Sequence, residues 1–265
     1  LLLLLGGMNL YDSLVHTFGT VGTGGFSSYG DSVAHFSSPY LQWVITIFML
    51  LCGINFNLYF VLARRGLKSM IRDSELKLYL LIILSVSALI AINLFATGVF
   101  HDLEEGIRTA VFQVVSIITT TGYATADYDI WPTFSKMLIF LLMLVGACSS
   151  STGGGVKVIR VLISLKLIRR GVSLKLHPRR VVTVTLGRKE VPQEVSTNIA
   201  NFVFFYIFVV FMGSFIISFN GFDLMTPISS VITCLGNIGP GFSLIGPVMN
   251  FSEFSGFSKL ILSLL

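Results

Sequence analysis

Three short stretches combine glycine with threonine or asparagine in a way that suits a cation. They are Thr20-Val21-Gly22-Thr23-Gly24-Gly25-Phe26, Thr119-Thr120-Thr121-Gly122-Tyr123 and Gly236-Asn237-Ile238-Gly239-Pro240-Gly241-Phe242. A dehydrated potassium ion needs oxygen ligands in place of its water shell, and rings of backbone carbonyls supply them where the peptide can turn its C=O groups inward. Glycine permits the backbone angles and close approach this requires, and threonine hydroxyls add oxygens. One such tripeptide is a weak signal, whereas three at matching places are a strong one. A fourth stretch, Gly146-Ala147-Cys148-Ser149-Ser150-Ser151-Thr152-Gly153-Gly154-Gly155, interrupts an apolar run. Irregular polar backbone at membrane depth has to lie inside protein or line water. Serine and threonine on a glycine-flexible chain can obstruct a cavity and withdraw at modest cost. A phosphate-binding reading of residues 151–157 fails, because the GxxxxGK[ST] spacing is absent and Val158 follows Lys157.

The composition says what must position these stretches. Of the 265 residues 54% are apolar and only 12% charged, about half the charged share of a soluble domain. So few polar side chains could not cover a soluble core, and the 23 Phe with long Leu/Ile/Val runs exclude disorder. The chain reads as an all-α integral membrane protein. Four stretches are long enough to cross a bilayer, at 40–63, 76–100, 133–168 and 195–219, and a fifth begins near Phe254. The third is overlong and is the one broken by residues 146–155. Between the spans lie three shorter amphipathic segments, 9–18, 102–118 and 223–235, each opening near a capping residue (Asn9 or Asp12, Asp102 or Glu104, Asp223). Each runs into one of the Gly/Thr stretches, then a polar loop with a proline (Pro39, Pro132, Pro247), then the next span. This order recurs at roughly 100-residue intervals, which is an internal repeat. The chain opens on five leucines without Met and stops in an apolar run, so residues 1–265 are expected to belong to a longer protein.

Charge supplies an orientation. Residues 157–189 hold ten basic side chains, and residues 64–72 add Arg64, Arg65, Lys68 and Arg72. The loops after the Gly/Thr stretches carry Asp31, Asp127, Asp129 and Glu253 instead. By the positive-inside rule the basic side is cytoplasmic, and the short helices enter from outside with the negative ends of their dipoles toward the centre. Residues 181–189 read as a small cytoplasmic β-hairpin. Cys52, Cys148 and Cys234 have neither disulfide nor zinc spacing and read as small buried hydrophobes. Asn55, Asn57 and Asn93 suit interhelical hydrogen bonds better than a pore lining. His16 and His101 suit packing or capping, and Arg108 suits pairing with Glu104. Asp127 and Asp129 either concentrate cations or are solvated loop acids. Lys157 either forms an electrostatic barrier in the pore or snorkels to the interface.

The runs HTFGTVGTGGFSSYGDS (16–32), TTTGYATADYDIWP (119–132), GACSSSTGGGVKVIR (146–160) and CLGNIGPGFSLIGP (234–247) resemble the Trk/Ktr/HKT superfamily of potassium transporters, most closely the bacterial Trk-type uptake subunits. The resemblance implies four membrane–pore loop–membrane units with pseudo-fourfold symmetry around one pore. This chain would supply the second unit (1–65), the third (66–176), a cytoplasmic hairpin or linker (177–194) and the fourth (195–265). The family's filter glycine then falls on Gly25, Gly122 and Gly239, preceded by the carbonyl positions Thr23 and Gly24, Thr120 and Thr121, and Asn237 and Ile238. Each unit keeps a single comparable glycine, and Pro240 makes the ring unequal. The resemblance makes the 146–155 break a gate, with Gly146, Ser149, Ser150, Ser151, Thr152, Gly153, Gly154 and Gly155 as its residues and Lys157 beside it. It also implies potassium as the transported ion, no resident cofactor, and a homodimer in the bacterial inner membrane. A cytosolic nucleotide-binding ring of the TrkA type would be its partner, docking near Arg179, Arg180, Arg188 and Lys189; the other reading of that cluster is topology plus anionic lipid. A sodium-permeable relative is the alternative within the class. An intramembrane enzyme lacks any Ser/Lys, His/Asp or HExxH pair in the spans, a scaffold gives no reason for three loops in register, and nucleic acid is not a fitting partner.

Overall fold

The computed structural model describes residues 1–177, 179, 182–187 and 189–265. Among the described residues two helices are long and apolar enough to cross a membrane, Ser74–Ala96 and Gln193–Asn220 including its terminal turn, and a bent pair brings the number to three. Their outer faces expose Leu81, Leu84, Ile92, Phe204, Phe211 and Phe215, while Phe112, Val114, Val115, Ile117 and Ile118 are fully buried on a short central helix. Large apolar side chains outside and hydroxyls within is the arrangement expected where lipid is the solvent.

The repeat seen in the sequence is the repeat of the fold. After a single turn, α1 (Leu2–Leu5), the first repeat consists of the short helix α2 (Leu10–Val21), a loop, and the pair α3 (Pro39–Cys52) and α4 (Phe56–Arg65). A turn of helix, α5 (Leu67–Ile71), leads to α6 (Ser74–Ala96), the short α7 (Leu103–Ile118), a loop, α8 (Thr133–Met143), an irregular segment, and α9 (Val158–Leu176). The last repeat is α10 (Gln193–Ile217), the short α11 (Met225–Gly236), a loop, and α12 (Gly256–Leu264). The three short helices start where capping chemistry predicts: Asn9 accepts from the Asp12 amide, Asp102 from Glu105, and Asp223 from Met225.

One expected span is corrected. Residues 40–63 are not continuous, because α3 and α4 meet at 85° around Gly53-Ile54-Asn55. A Cβ on Gly53 would stand 2.3 Å from the Tyr79 hydroxyl and 2.8 Å from Thr119 Cγ2, so α6 and α7 press on the chain there, and Asn55 begins a new helix by capping the Asn57 amide. Of the asparagines expected to bond between helices, Asn93 does, accepting from Ser135 across α6 and α8 at 2.7 Å, whereas Asn57 makes no interhelical bond among the described residues, its amide donating to Asn55. Within α7, Arg108 pairs with Glu104 at 2.9 Å as expected.

The hairpin is smaller than the sequence suggests. β1 (Thr185–Leu186) pairs antiparallel with β2 (Lys189–Glu190), with Thr185 opposite Glu190. Val184 and Val191 bury against Ile163 of α9, with Ile199 of α10 alongside. Val181 and Arg188 lie outside the described residues, so only residues 182–187 and 189 of the expected segment are seen.

Candidate functional site

The ends of α2, α7 and α11 are built alike. In each, a residue with left-handed backbone follows the helix: Thr23 at φ 49°, Thr120 at 57° and Asn237 at 53°. Its amide donates back three residues, to Thr20, Ile117 and Cys234, and the next amide donates back five, to Gly19, Ser116 and Thr233, at 2.8–2.9 Å. This is the Schellman closure, which satisfies the last helical carbonyls and turns the chain sharply off the axis. Glycine or asparagine ordinarily holds the left-handed position; threonine there is a strained choice. Two residues later comes a second left-handed residue, Gly25 at 63°, Gly122 at 81° and Gly239 at 109°.

Left-handed backbone at alternate residues keeps successive peptides from pointing to opposite sides. The carbonyl oxygens of Thr23, Gly24, Thr120, Thr121, Asn237 and Ile238 receive no hydrogen bond from any described residue. Thr120, Thr121 and Ile238 are nevertheless buried. Buried carbonyls without a partner are costly, and a site that collects several of them is chemically an acceptor for a bare cation.

The loops interlock. A Cβ on Gly25 would lie 1.8 Å from the Thr121 carbonyl oxygen, and one on Gly122 would lie 1.9 Å from that of Ile238. Each glycine thus packs on the next loop's carbonyl, in one rotational sense. Gly239 has nothing within 4 Å of its ideal Cβ position.

Behind the loops, the neighbouring residues are braced. His16 joins the Asp12 carbonyl at 2.8 Å and Ser27 Oγ at 3.1 Å and stacks on Tyr123, so it packs as expected. Ser28 and Tyr29 donate to the Asp12 carboxylate. The bond from Ser28 outweighs the opposing effect of burial, and with those from Tyr29 and Asn9 it holds this carboxyl below the usual aspartate range. Asp127 caps Asp129, and Asp129 accepts the Ser243 amide from the last repeat's loop at 2.9 Å. These two acids serve loop structure.

The irregular segment between α8 and α9 lies against the same residues. Gly153 is close to the Thr119 carbonyl and Gly154 to that of Gly236, where added Cβ atoms would come within 2.8 and 2.3 Å. The Gly154 amide donates to Thr120 Oγ1 at 2.6 Å. The feet of the segment pair with each other, Gly146 N with the Val156 carbonyl and Val158 N with that of Ala147. Its serine side docks on the break between α3 and α4: Cys148 N donates to Gly53 O, Phe56 N to Ser150 O, and Asn55 Nδ2 to Ser149 Oγ. The two breaks satisfy each other's backbone, which is why the first occurs where it does.

Lys157 neither snorkels nor projects: its ammonium folds back onto the Gly153 carbonyl. The residue sequence reasoning missed is Glu75, in the first turn of α6, 4% exposed. It looked like an ordinary acidic residue at a helix start. Of the expected docking residues, Arg179 is exposed, Arg180 and Arg188 lie outside the described residues, and Lys189 contributes its backbone to β2.

A family model described as "Cation transport protein", TrkH, matches residues 5–265. The chain belongs to the TrkH family of cation transport proteins. It is 33% identical over 257 residues to the Trk system potassium uptake protein TrkH of Escherichia coli K12, covering 97% of this chain and 53% of that protein. The same-named protein of Halomonas elongata is 36% identical over 235 residues, covering 88% and 48%. The crystal structure of the potassium transporter TrkH from Vibrio parahaemolyticus superposes with a TM-score of 0.91 at 30% identity, over 98% of this chain and 56% of that one. The chain therefore spans about half the length of the TrkH relatives it matches. The all-α membrane fold expected from the sequence is the fold of this family.

Proposed function

We propose that this chain carries most of the ion pathway of a potassium uptake protein, with a carbonyl filter and an intramembrane gate. The observation that carries the reading is the threefold recurrence of one backbone motif, αL–x–αL after a Schellman closure, with unbonded carbonyls at Thr23, Gly24, Thr120, Thr121, Asn237 and Ile238. In this reading Gly25, Gly122 and Gly239 are the filter glycines. A dehydrated potassium ion passes from one set of carbonyls to the next while the negative ends of α2, α7 and α11 stabilise its charge. In this reading Gly239, with nothing within 4 Å of its Cβ position, faces a further loop of the whole protein.

The gate is the segment 146–155. Gly146, Ser149, Ser150, Ser151, Thr152, Gly153, Gly154 and Gly155 form it, and Lys157 stiffens it from within. Its contacts at Thr119, Thr120 and Gly236 support this reading, since the segment lies against residues at the ends of α7 and α11. The basic residues of α9 and the hairpin lie on the cytoplasmic side of the bacterial inner membrane. A nucleotide-binding ring docks there, using Arg179, Arg180, Arg188 and Lys189, and two copies of the transporter assemble with it. Potassium is cargo, and no resident cofactor is needed. The test is ion selectivity: in liposomes holding a K⁺/Na⁺ gradient, Gly122→Ala should move the reversal potential toward the sodium value.

A further inference from the structure

Glu75 lies at the start of α6, where an acidic side chain would ordinarily sit in water and favour its own helix dipole. Here it is buried, and its two oxygens are spent on another part of the chain. Oε1 accepts the Ser149 amide at 2.6 Å and the Ile159 amide at 3.2 Å, and Oε2 accepts the Ser149 hydroxyl at 2.7 Å. Ser149 stands on the entering limb of the irregular segment, and Ile159 in the first turn of α9 just beyond its exit. One carboxylate therefore holds both limbs. No basic side chain among the described residues lies within ion-pair distance of it, and the nearby Lys157 is engaged with Gly153.

The arrangement has a mechanical reading. α9 has no side-chain cap of its own, since Lys157 occupies the N-cap position, so Glu75 caps it from a different helix. The base of the loop is clamped by this carboxylate and by the 146–156 and 147–158 backbone bonds. The tip, residues 150–155, touches the filter side through Gly154 and Thr120. We propose that Glu75 is the positioning residue of the gate: a clamp on α6 that sets the resting loop against the filter. Movement of α6 relative to α9 is thereby transmitted to the loop. The inference rests on the gate reading above and adds the residue that governs it.

The carboxylate acts as an acceptor, which separates two substitutions. Glu75→Ala leaves the Ser149 and Ile159 amides without a partner. Glu75→Gln keeps an Oε1 acceptor for both and can donate its amide to the Ser149 hydroxyl. The intact protein, reconstituted in liposomes without any cytosolic partner, is assayed for basal Rb⁺ flux and K⁺/Na⁺ reversal potential. Glu75→Ala should raise basal flux about tenfold, equivalent to roughly 1.4 kcal/mol in the closed–open balance. It should leave the reversal potential unchanged, Glu75→Gln should stay within about twofold of the parent, and Ser149→Ala should add nothing further in the Glu75→Ala background. A second measurement needs no transport. Cys148 is fully buried beside Ser149, so with Cys52 and Cys234 replaced by alanine its maleimide labelling should quicken in Glu75→Ala and not in Glu75→Gln. Unchanged labelling in Glu75→Ala overturns the clamp, as does raised flux with a shifted reversal potential, which signals filter damage. Faster labelling with unchanged flux keeps the clamp and instead refutes the gate reading on which it rests.

Discussion

Replacing Gly122 by alanine tests the proposed carbonyl ring at one of its two interlocked contacts. Two costs arise. A φ of 81° is left-handed, which an L residue enters at about 1–2 kcal/mol. The added Cβ would also stand 1.9 Å from the Ile238 carbonyl oxygen, far inside the 3.0 Å limit that real Cβ contacts respect. That oxygen, on the backbone of the next loop, must retreat by about 1 Å, and Pro240 Cδ, 3.0 Å from the same Cβ position, keeps the methyl from moving the other way. A ligand displaced this far no longer matches a potassium ion but can still meet a smaller or partly hydrated one. Loss of 1.4 kcal/mol of differential ion binding is about tenfold in selectivity, or roughly 60 mV in a bi-ionic reversal potential. Gly98→Ala isolates the backbone cost: its φ is 71° with nothing within 4 Å. It should lower the melting temperature by the backbone cost alone, less than Gly122→Ala does, and leave the reversal potential alone. An unshifted reversal potential in folded Gly122→Ala, or an equal shift in Gly98→Ala, would refute the filter assignment.

Deleting residues 153–155 removes the loop tip that meets the Thr119 and Gly236 carbonyls and should raise basal flux in liposomes by an order of magnitude or so; no change there removes the gate role. Neutralising Arg179, Arg180, Arg188 and Lys189 together should weaken co-purification of a cytosolic nucleotide-binding partner while K⁺/Na⁺ selectivity persists, and retained binding leaves the cluster to topology and lipid. The depressed carboxyl of Asp12 makes a pH prediction. Its stabilisation is complete above the ordinary aspartate value near pH 4 and is lost as pH falls through the lower folded value, so the melting temperature of the parent should fall below about pH 4 more steeply than that of Asp12→Asn.

The membrane class, the repeat and the three Gly/Thr loops were legible because each depends on local chemistry: apolar runs, caps, and glycine beside threonine. The 146–155 break was legible for the same reason, since ten small or polar residues have no local alternative at membrane depth. The α3–α4 break was not. Leu50-Leu51-Cys52-Gly53-Ile54 is locally a continuous apolar helix, and what opens it is the pressure of Tyr79 and Thr119 together with the docked loop. Glu75 was hidden more thoroughly, because Ser-Glu-Leu-Lys reads as a routine helix start and its partners are 74 and 84 residues away. Left-handed Thr23 and Thr120 were unreadable too: propensity argues against threonine there, and only the closure of the helix end enforces it.

The contacts of Gly25 with the Thr121 carbonyl and of Gly122 with that of Ile238 bear on how the repeats can diverge. Each loop is a mould for the one before it, so the repeats are not interchangeable modules. The residue after the shared glycine has drifted to Phe26, Tyr123 and Pro240, and the residue before it to Gly24, Thr121 and Ile238. The glycine itself has not drifted, since a side chain at Gly25 or Gly122 would occupy the neighbour's oxygen. A change in one loop is thus felt first in the next, and repeated units packed this way must change in concert, loop by loop in a fixed direction.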